Sequence, residues 1–296
     1  MPLAKVLAPL KKVPNFAKLE AGDVVEYELA PGTLLQFCWI PAGEATLGND
    51  AHQFQSNGFW LGKYEVRQKE WDALNPPMVD TRGFEGEELP IESISWWECQ
   101  KYLALLNEKT TPAKFRQVFG NANLTFTLPT ENEWEYACRG GQRKQQAFHW
   151  GDGFIETLAN CRDENPMRPG DKRAVVQATQ PVGSYEKEAQ HPWGLCDLHG
   201  NVWEWCLNLF QEAGPERAVR GGGWNTPSLD CQLTKRGRAN PHATAPNTGF
   251  RLCVQAKAER PERKPGDVVE YEIAQGVRME FCWIPAGKAT LGSPFG

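Results

Sequence analysis

The chain has 296 residues, 41% of them hydrophobic and 23% charged, with a formal net charge of -5. That length holds one large domain or two ordinary ones, and the composition is that of a globular protein. The acidic balance and the lack of a basic stripe exclude an electrostatic footprint for nucleic acid. No run approaches the roughly 18 apolar residues that span a bilayer. Lys5, Lys11 and Lys12 interrupt the apolar residues of the first segment, which also has no small-residue cleavage site. A cytoplasmic chain with no secretory leader and no membrane contact is therefore expected.

The 12 Trp, 28 Gly and 22 Pro point to a loop-rich fold in which indoles fill gaps between irregular segments. Nine cysteines, at 38, 99, 138, 161, 196, 206, 231, 253 and 282, form no C-x-x-C pair. A zinc ribbon is excluded on that ground, and buried reduced thiols are expected.

In chain order, residues 1–21 read as an N-terminal extension. Val25–Leu29 and Leu34–Gly43 read as strands joined by the Pro31-Gly32 turn. Ser95 caps a helix whose Trp96, Cys99, Leu103 and Leu106 share one face. Thr130 and Glu133 form a capping box for a second helix that Gly140 and Gly141 stop. After Gly151 the pattern becomes short apolar pieces between Gly, Pro and Asn, with late strands at Ala218–Gly222 and Gly249–Val254. Two helices, a long irregular region and late strands give an α+β class.

One internal repeat stands out. Gly22–Gly48 and Gly266–Gly292 are identical at 20 of 27 positions. One complete unit, 22–255, is thus followed by a charged linker, 256–265, and by the opening strands of another unit, 266–296. Two readings are open: a truncated tandem array, or a second hairpin that pairs with a neighbouring molecule. In either case Val268, Val269, Phe281, Trp283 and Ile284 lack a core of their own, which predicts self-association.

Five motifs occur in a fixed order: PIESISWWECQKYLALLN (90–107), FTLPTENEWEYACRGG (126–141), GLCDLHGNVWEW (194–205), VRGGGW (219–224) and NTGFRLC (247–253). This order resembles the formylglycine-generating enzyme family, the sulfatase-modifying-factor domains. The resemblance implies a C-type-lectin-like fold with a small antiparallel sheet and two main helices. It also implies calcium, held by the Asp197 side chain, the Gly200 and Val202 carbonyls and Glu204, in keeping with calcium's preference for oxygen. A second implied calcium site begins at Asn160 and Cys161. Its downstream carboxylate has no clear counterpart, since Ala174 falls near the position and Asp171 is the closest acid. The alternative for Glu204 is an ion pair with an arginine in a Trp-lined core.

The resemblance further implies an oxidase that holds Cu(I) between thiolates two and seven residues after the Trp of its GG-x-W turn. Counting from Trp224 gives Thr226 and Cys231. A hydroxyl does not replace a thiolate on a soft ion, so copper is not expected. Cys231 remains the one candidate for chemistry, against a structural reading that is preferred. Gly237 stands where the family carries a serine. His52, His149, His191, His199 and His242 form no H-x-x-x-H or H-x-H pattern, and FHWGD (148–152) reads as a turn capped by Asp152. No G-x-S-x-G, P-loop or G-x-G-x-x-G motif is present.

What remains is a polar face: Trp224, Asn225, Thr226, Ser228, Asp230, Gln232, Lys235, Arg238, Asn240, His242 and Asn247. In the resembled family this stretch meets peptide or carries diversified residues. The expectation is a non-catalytic module binding a peptide or protein ligand through 224–247. The alternative is a copper-dependent oxidase that turns a substrate cysteine into formylglycine. Arg251 is expected to be buried against a glutamate or a carbonyl.

Overall fold

The computed structural model describes residues 15–76, 81–142, 144, 146–162, 178–257, 268–274 and 277–282. Its first sheet opens with β1 (Val24–Ala30), which turns through Pro31-Gly32 into the long β2 (Thr33–Leu47) and then β3 (His52–Gly62). Two later strands, β4 (Leu124–Thr127) and β9 (Cys253–Ala256), complete the order β1-β2-β3-β9-β4, with antiparallel neighbours throughout.

Side chains alternate across this sheet, so each strand feeds two cores. Val25, Tyr27, Leu35, Phe37 and Trp60 point to one side. There they meet α1 (Gln68–Leu74), α2 (Trp96–Lys109) and the aromatic residues of α3 (Pro112–Phe119). Cys38, Ile40, Leu47, Phe59 and Leu61 point to the other side, against Trp134, Ala137 and Cys138 of α4 (Glu131–Arg139). The expected capping box of Thr130 with Glu133 forms on α4, and a second one, Ser95 with Glu98, starts α2. Gly140 ends α4 in the left-handed conformation, at φ 57°.

The second sheet is built from the late chain: β5 (Trp203–Leu209), β6 (Arg217–Arg220), β7 (Gly237–Ala239) and β8 (Thr248–Gly249), in the order β7-β6-β5-β8. The single late strand expected at Gly249–Val254 is in fact two. Residues 248–249 run parallel to β5, and 253–256 join the first sheet between β3 and β4. The division lets Arg251 stand between the sheets. A close approach also requires glycine at 249, because a Cβ there would lie 2.3 Å from the Ile91 carbonyl oxygen.

Beyond Ala256 the contacts divide the chain into a second unit, Lys257–Gly296. Within it β10 (Val268–Ala274) and β11 (Val277–Cys282) pair in the register of β1 and β2, with Val268 opposite Cys282 as Val24 is opposite Cys38. The shift between Glu28 and Ala30 recurs between Glu272 and Ala274. Most of the expected linker, together with Trp283, Ile284, Asp171 and Ala174, lies outside the described residues, as do the side chains of Val269 and Phe281.

Three scattered histidines converge inside the first unit. The His149 ring centroid lies 5.0 Å from that of His191 and 5.2 Å from that of His199, and none of the three residues is more than 7% exposed. The main chain fixes each ring. Nδ1 of His199 meets the Cys231 carbonyl at 2.8 Å, and its Nε2 accepts the His149 N–H at 3.2 Å. Nε2 of His191 meets the Cys138 carbonyl, and its Nδ1 accepts the Trp193 N–H. Burial lowers all three: His149 to about 4, His191 to about 3, and His199 well below the usual range. These are structural neutral imidazoles.

Because their folded values lie below the unfolded value near 6.5, the unfolded chain takes up protons first on acidification. Stability should be fully present above pH 7 and should fall as pH drops from 7 towards 4. His149 alone contributes roughly 3 kcal/mol to that loss. Urea denaturation at stepped pH checks this, and His149→Gln should flatten the curve.

Candidate functional site

The GNVWEW loop and the GFR turn meet at one buried ion pair. Arg251 and Glu204 are both 0% exposed. Arg251 Nε donates to Glu204 Oε2 at 2.9 Å, and Nη2 donates to Oε1 at 2.7 Å. Nη1 donates to the Gly62 and Lys63 carbonyls, and Nη2 also to that of Cys196. All five guanidinium donors are used. Trp134 Nε1 donates to Glu204 Oε2 at 2.7 Å, so that carboxylate is saturated from the other side as well.

Both Glu204 oxygens are engaged by Arg251 and Trp134, which is the ion-pair alternative for this residue. The main chain around the other expected ligands is fixed through N–H groups and the Asn160 amide. Gly200 donates its N–H to Gly221, and the Val202 N–H reaches Glu65 Oε1 at 3.2 Å. The Asn160 carbonyl accepts from the Asn201 N–H, and its Nδ2 donates to Ala178 and Asn201. Among the described residues no group of three or more His, Cys, Asp or Glu side chains converges as a metal centre would.

The charge balance beneath the loop is nonetheless negative. Glu65, 1% exposed, accepts from Asn201 Nδ2 at 2.7 Å and lies in the field of Asp197 and Glu204. Burial first, then those two charges, push its carboxyl well above the usual range. Asp197, at φ 55°, accepts the Gly183 N–H at 2.6 Å, and burial raises it to about 6. Glu204 takes the hydrogen bonds of Arg251, while Glu65 and Asp197 lie in its field. Of these groups, Asp197 at the loop is the oxygen donor that suits a hard cation.

The expected face does not stay together as one surface. Thr226 is buried, and its hydroxyl accepts from Trp203 Nε1 at 3.1 Å and from the Gly223 N–H at 3.0 Å. It is therefore a structural residue and not part of the surface. Two ion pairs, Lys235–Asp230 and Arg238–Glu216, occupy the sides. Ser228 and Asp230 lie in the single 3-10 turn before Cys231, and Gln232 follows it, half-buried.

The remaining residues form an aromatic and amide surface along 240–247. Trp224 packs edge-on against Phe84 at 5.6 Å and donates through Nε1 to the Pro246 carbonyl. Asn247 Nδ2 donates to Asn225 Oδ1 at 2.6 Å. At the other end His242 lies 6.0 Å from Trp97, and Asn240 Oδ1 accepts the His242 N–H. Backbone bonds from Ser93 to Ala245 and from Trp96 to Pro241 hold the start of α2 beside this segment.

Phe84 and Trp97 were missed from sequence. A helical reading signals Trp97: its neighbour Trp96 takes the buried face, which leaves Trp97 turned outward at 44% exposure. Phe84 lies in the irregular segment between α1 and α2 and gave no signal. Cys231, by contrast, is 0% exposed, and its thiol is pushed far up by a hydrogen bond with Cys161 and by burial. It is no ready nucleophile.

Residues 26–256 match the family described as the sulfatase-modifying factor enzyme 1-like domain. Among curated relatives, chaperone protein LppX of Paenibacillus barcinonensis is 28% identical over 66% of this chain and 79% of its own length. The inactive C-alpha-formylglycine-generating enzyme 2 of Bos taurus is 30% identical over 75% of this chain and 66% of its own. The formylglycine-generating enzyme of Mus musculus is 24% identical, covering 76% of each chain. The solved structure of PvdO from Pseudomonas aeruginosa superposes with a TM-score of 0.61 at 21% identity, over 80% of this chain and all 100% of that one. The shared architecture is the C-type-lectin-like α+β fold of that family. Relatives named as active and as inactive enzymes both align here, and with 26–256 matched, this chain belongs to the formylglycine-generating enzyme family of sulfatase-modifying-factor domains.

Proposed function

We propose that this chain is a non-catalytic module that binds a peptide or protein segment on the surface formed by Phe84, Trp97, Trp224, Asn225, His242 and Asn247. The observation that carries the reading is the exposed Trp97–His242 pair at one end of a rigid segment that has Trp224 on Phe84 at the other. Aromatic anchors flanked by amides suit an extended polypeptide, with the rings supplying burial and the amides pairing with its main chain. The copper oxidase reading is disfavoured because the Thr226 hydroxyl stands at the first thiolate position and already accepts two hydrogen bonds. Similarity to a relative named as inactive supports the same direction.

A peptide enriched from a random display library against the full chain should bind less tightly to Trp97→Ala and to Trp224→Ala by about tenfold or more. Unfolding midpoints should change little for Trp97→Ala, whose indole is already half in solvent. Calorimetric titration reads both effects. Unaltered binding in both variants, or conversion of a cysteine peptide to an aldehyde by copper-loaded protein, would contradict the reading.

Calcium belongs to this proposal as a structural ion, resting on Asp197 with the Gly200 and Val202 carbonyls. Calcium should raise the melting temperature relative to chelator, and Asp197→Asn should abolish that rise. Equal melting temperatures with calcium and with chelator would remove calcium from the account.

A further inference from the structure

Two cysteines that lie 70 positions apart in the sequence meet under the ligand surface. The Cys161 and Cys231 side chains lie near enough to act on each other's ionisation. Both are free, Cys161 half-buried and Cys231 wholly enclosed. The main chain joins their two segments: the Arg162 N–H donates to the Thr226 carbonyl at 2.9 Å, and Arg162 bridges Pro227 in parallel. Cys231 Sγ lies 3.8 Å from that same Thr226 oxygen.

Two glycines make room for the sulfurs. A Cβ on Gly200 would lie 2.7 Å from Cys161 Sγ, and one on Gly222 would lie 2.3 Å from Cys231 Sγ. No imidazole competes for the pair, because both nitrogens of the nearby His199 are committed, to the Cys231 carbonyl and to the His149 N–H.

We propose that Cys161 and Cys231 form a reversible dithiol–disulfide couple that fastens the Asn160–Arg162 segment to the turn beneath the ligand surface. This proposal is independent of the peptide-binding reading. The oxidant is a hydroperoxide. The more accessible Cys161 sulfur attacks the O–O bond, giving a sulfenic acid and, from hydrogen peroxide, one water. Oxidation of Cys161 removes the thiol that held the Cys231 proton; the Cys231 sulfur then attacks the sulfenic sulfur, its proton departs with the sulfenic hydroxyl as a second water, and the S–S bond forms. Two thiols are oxidised and one peroxide is reduced to two waters. A small dithiol reverses the step through a mixed disulfide.

The closed loop spans enough chain to lower the entropy of the unfolded state substantially. The oxidised protein should melt higher by on the order of 10 °C.

The test treats the full chain with hydrogen peroxide, alkylates the remaining thiols and maps peptides by mass, with a melting curve alongside. The expected result is a linked Cys161–Cys231 peptide, released by dithiothreitol, together with the rise in melting temperature. Cys161→Ala, at the half-buried position, should fold and lose both; Cys231→Ser should lose the link. Three outcomes would overturn the proposal: a sulfenic or sulfinic acid on Cys161 without a linked peptide, a link between two chains, or a rise in melting temperature that survives in Cys161→Ala.

Discussion

Arg251 is the point on which the first unit depends. Its five N–H groups reach Glu204 on the second sheet, the Gly62 and Lys63 carbonyls after β3, and the Cys196 carbonyl before the GNVWEW loop. A guanidinium removed from water is costly unless every donor finds a partner, and here every one does. Such a pair contributes less to stability than apolar packing of equal volume would. What it supplies is uniqueness, because only one arrangement of these three segments saturates both the arginine and the glutamate. A second buried cluster repeats the device nearby. Arg220 and Arg139 share Glu135, and Arg220 lies over the Trp134 ring whose indole N–H serves Glu204.

For the proposed function the consequence is a fixed interior beneath an exposed face. The segments that carry Trp224 and Phe250 are fixed from below, so the 240–247 stretch can present aromatic and amide groups without ordering itself on binding. The Glu65 and Asp197 carboxyls lie beneath the loop, where the proposed calcium would rest.

Local chemistry was legible in the sequence. Ser95, and Thr130 with Glu133, mark helix starts because capping involves near neighbours in the chain. The repeat of 22–48 at 266–292 shows directly in the matching registers of β1–β2 and β10–β11. Arg251 against a glutamate was one of the stated alternatives and is the arrangement found. Long-range pairings were not legible. Thr226 reads as a polar surface residue until Trp203 and Gly223 are seen to claim its hydroxyl. Glu65 carries no motif, and its importance arises only where Asp197 and Glu204 are folded around it. Cys161 was grouped with Asn160 by resemblance; no local rule brings it to Cys231. The late strand was mis-joined because a continuous apolar run does not reveal that Arg251 must leave it to meet Glu204.

The measurement that tests this account most directly is the stability of Arg251→Met against the parent chain at pH 7 and at pH 5. Removing the guanidinium leaves Glu204, Glu65 and Asp197 together without their cation, and breaking such a pair costs about 3–5 kcal/mol. The deficit should be of that size at pH 7. It should shrink at pH 5, where the stranded carboxylates take up protons and the folded variant gains what the charges had cost. The acid loss through the histidines affects both proteins alike and cancels in the difference. Equal stability at pH 7, or a deficit of the same size at both pH values, would contradict the claim that Arg251 organises the interior.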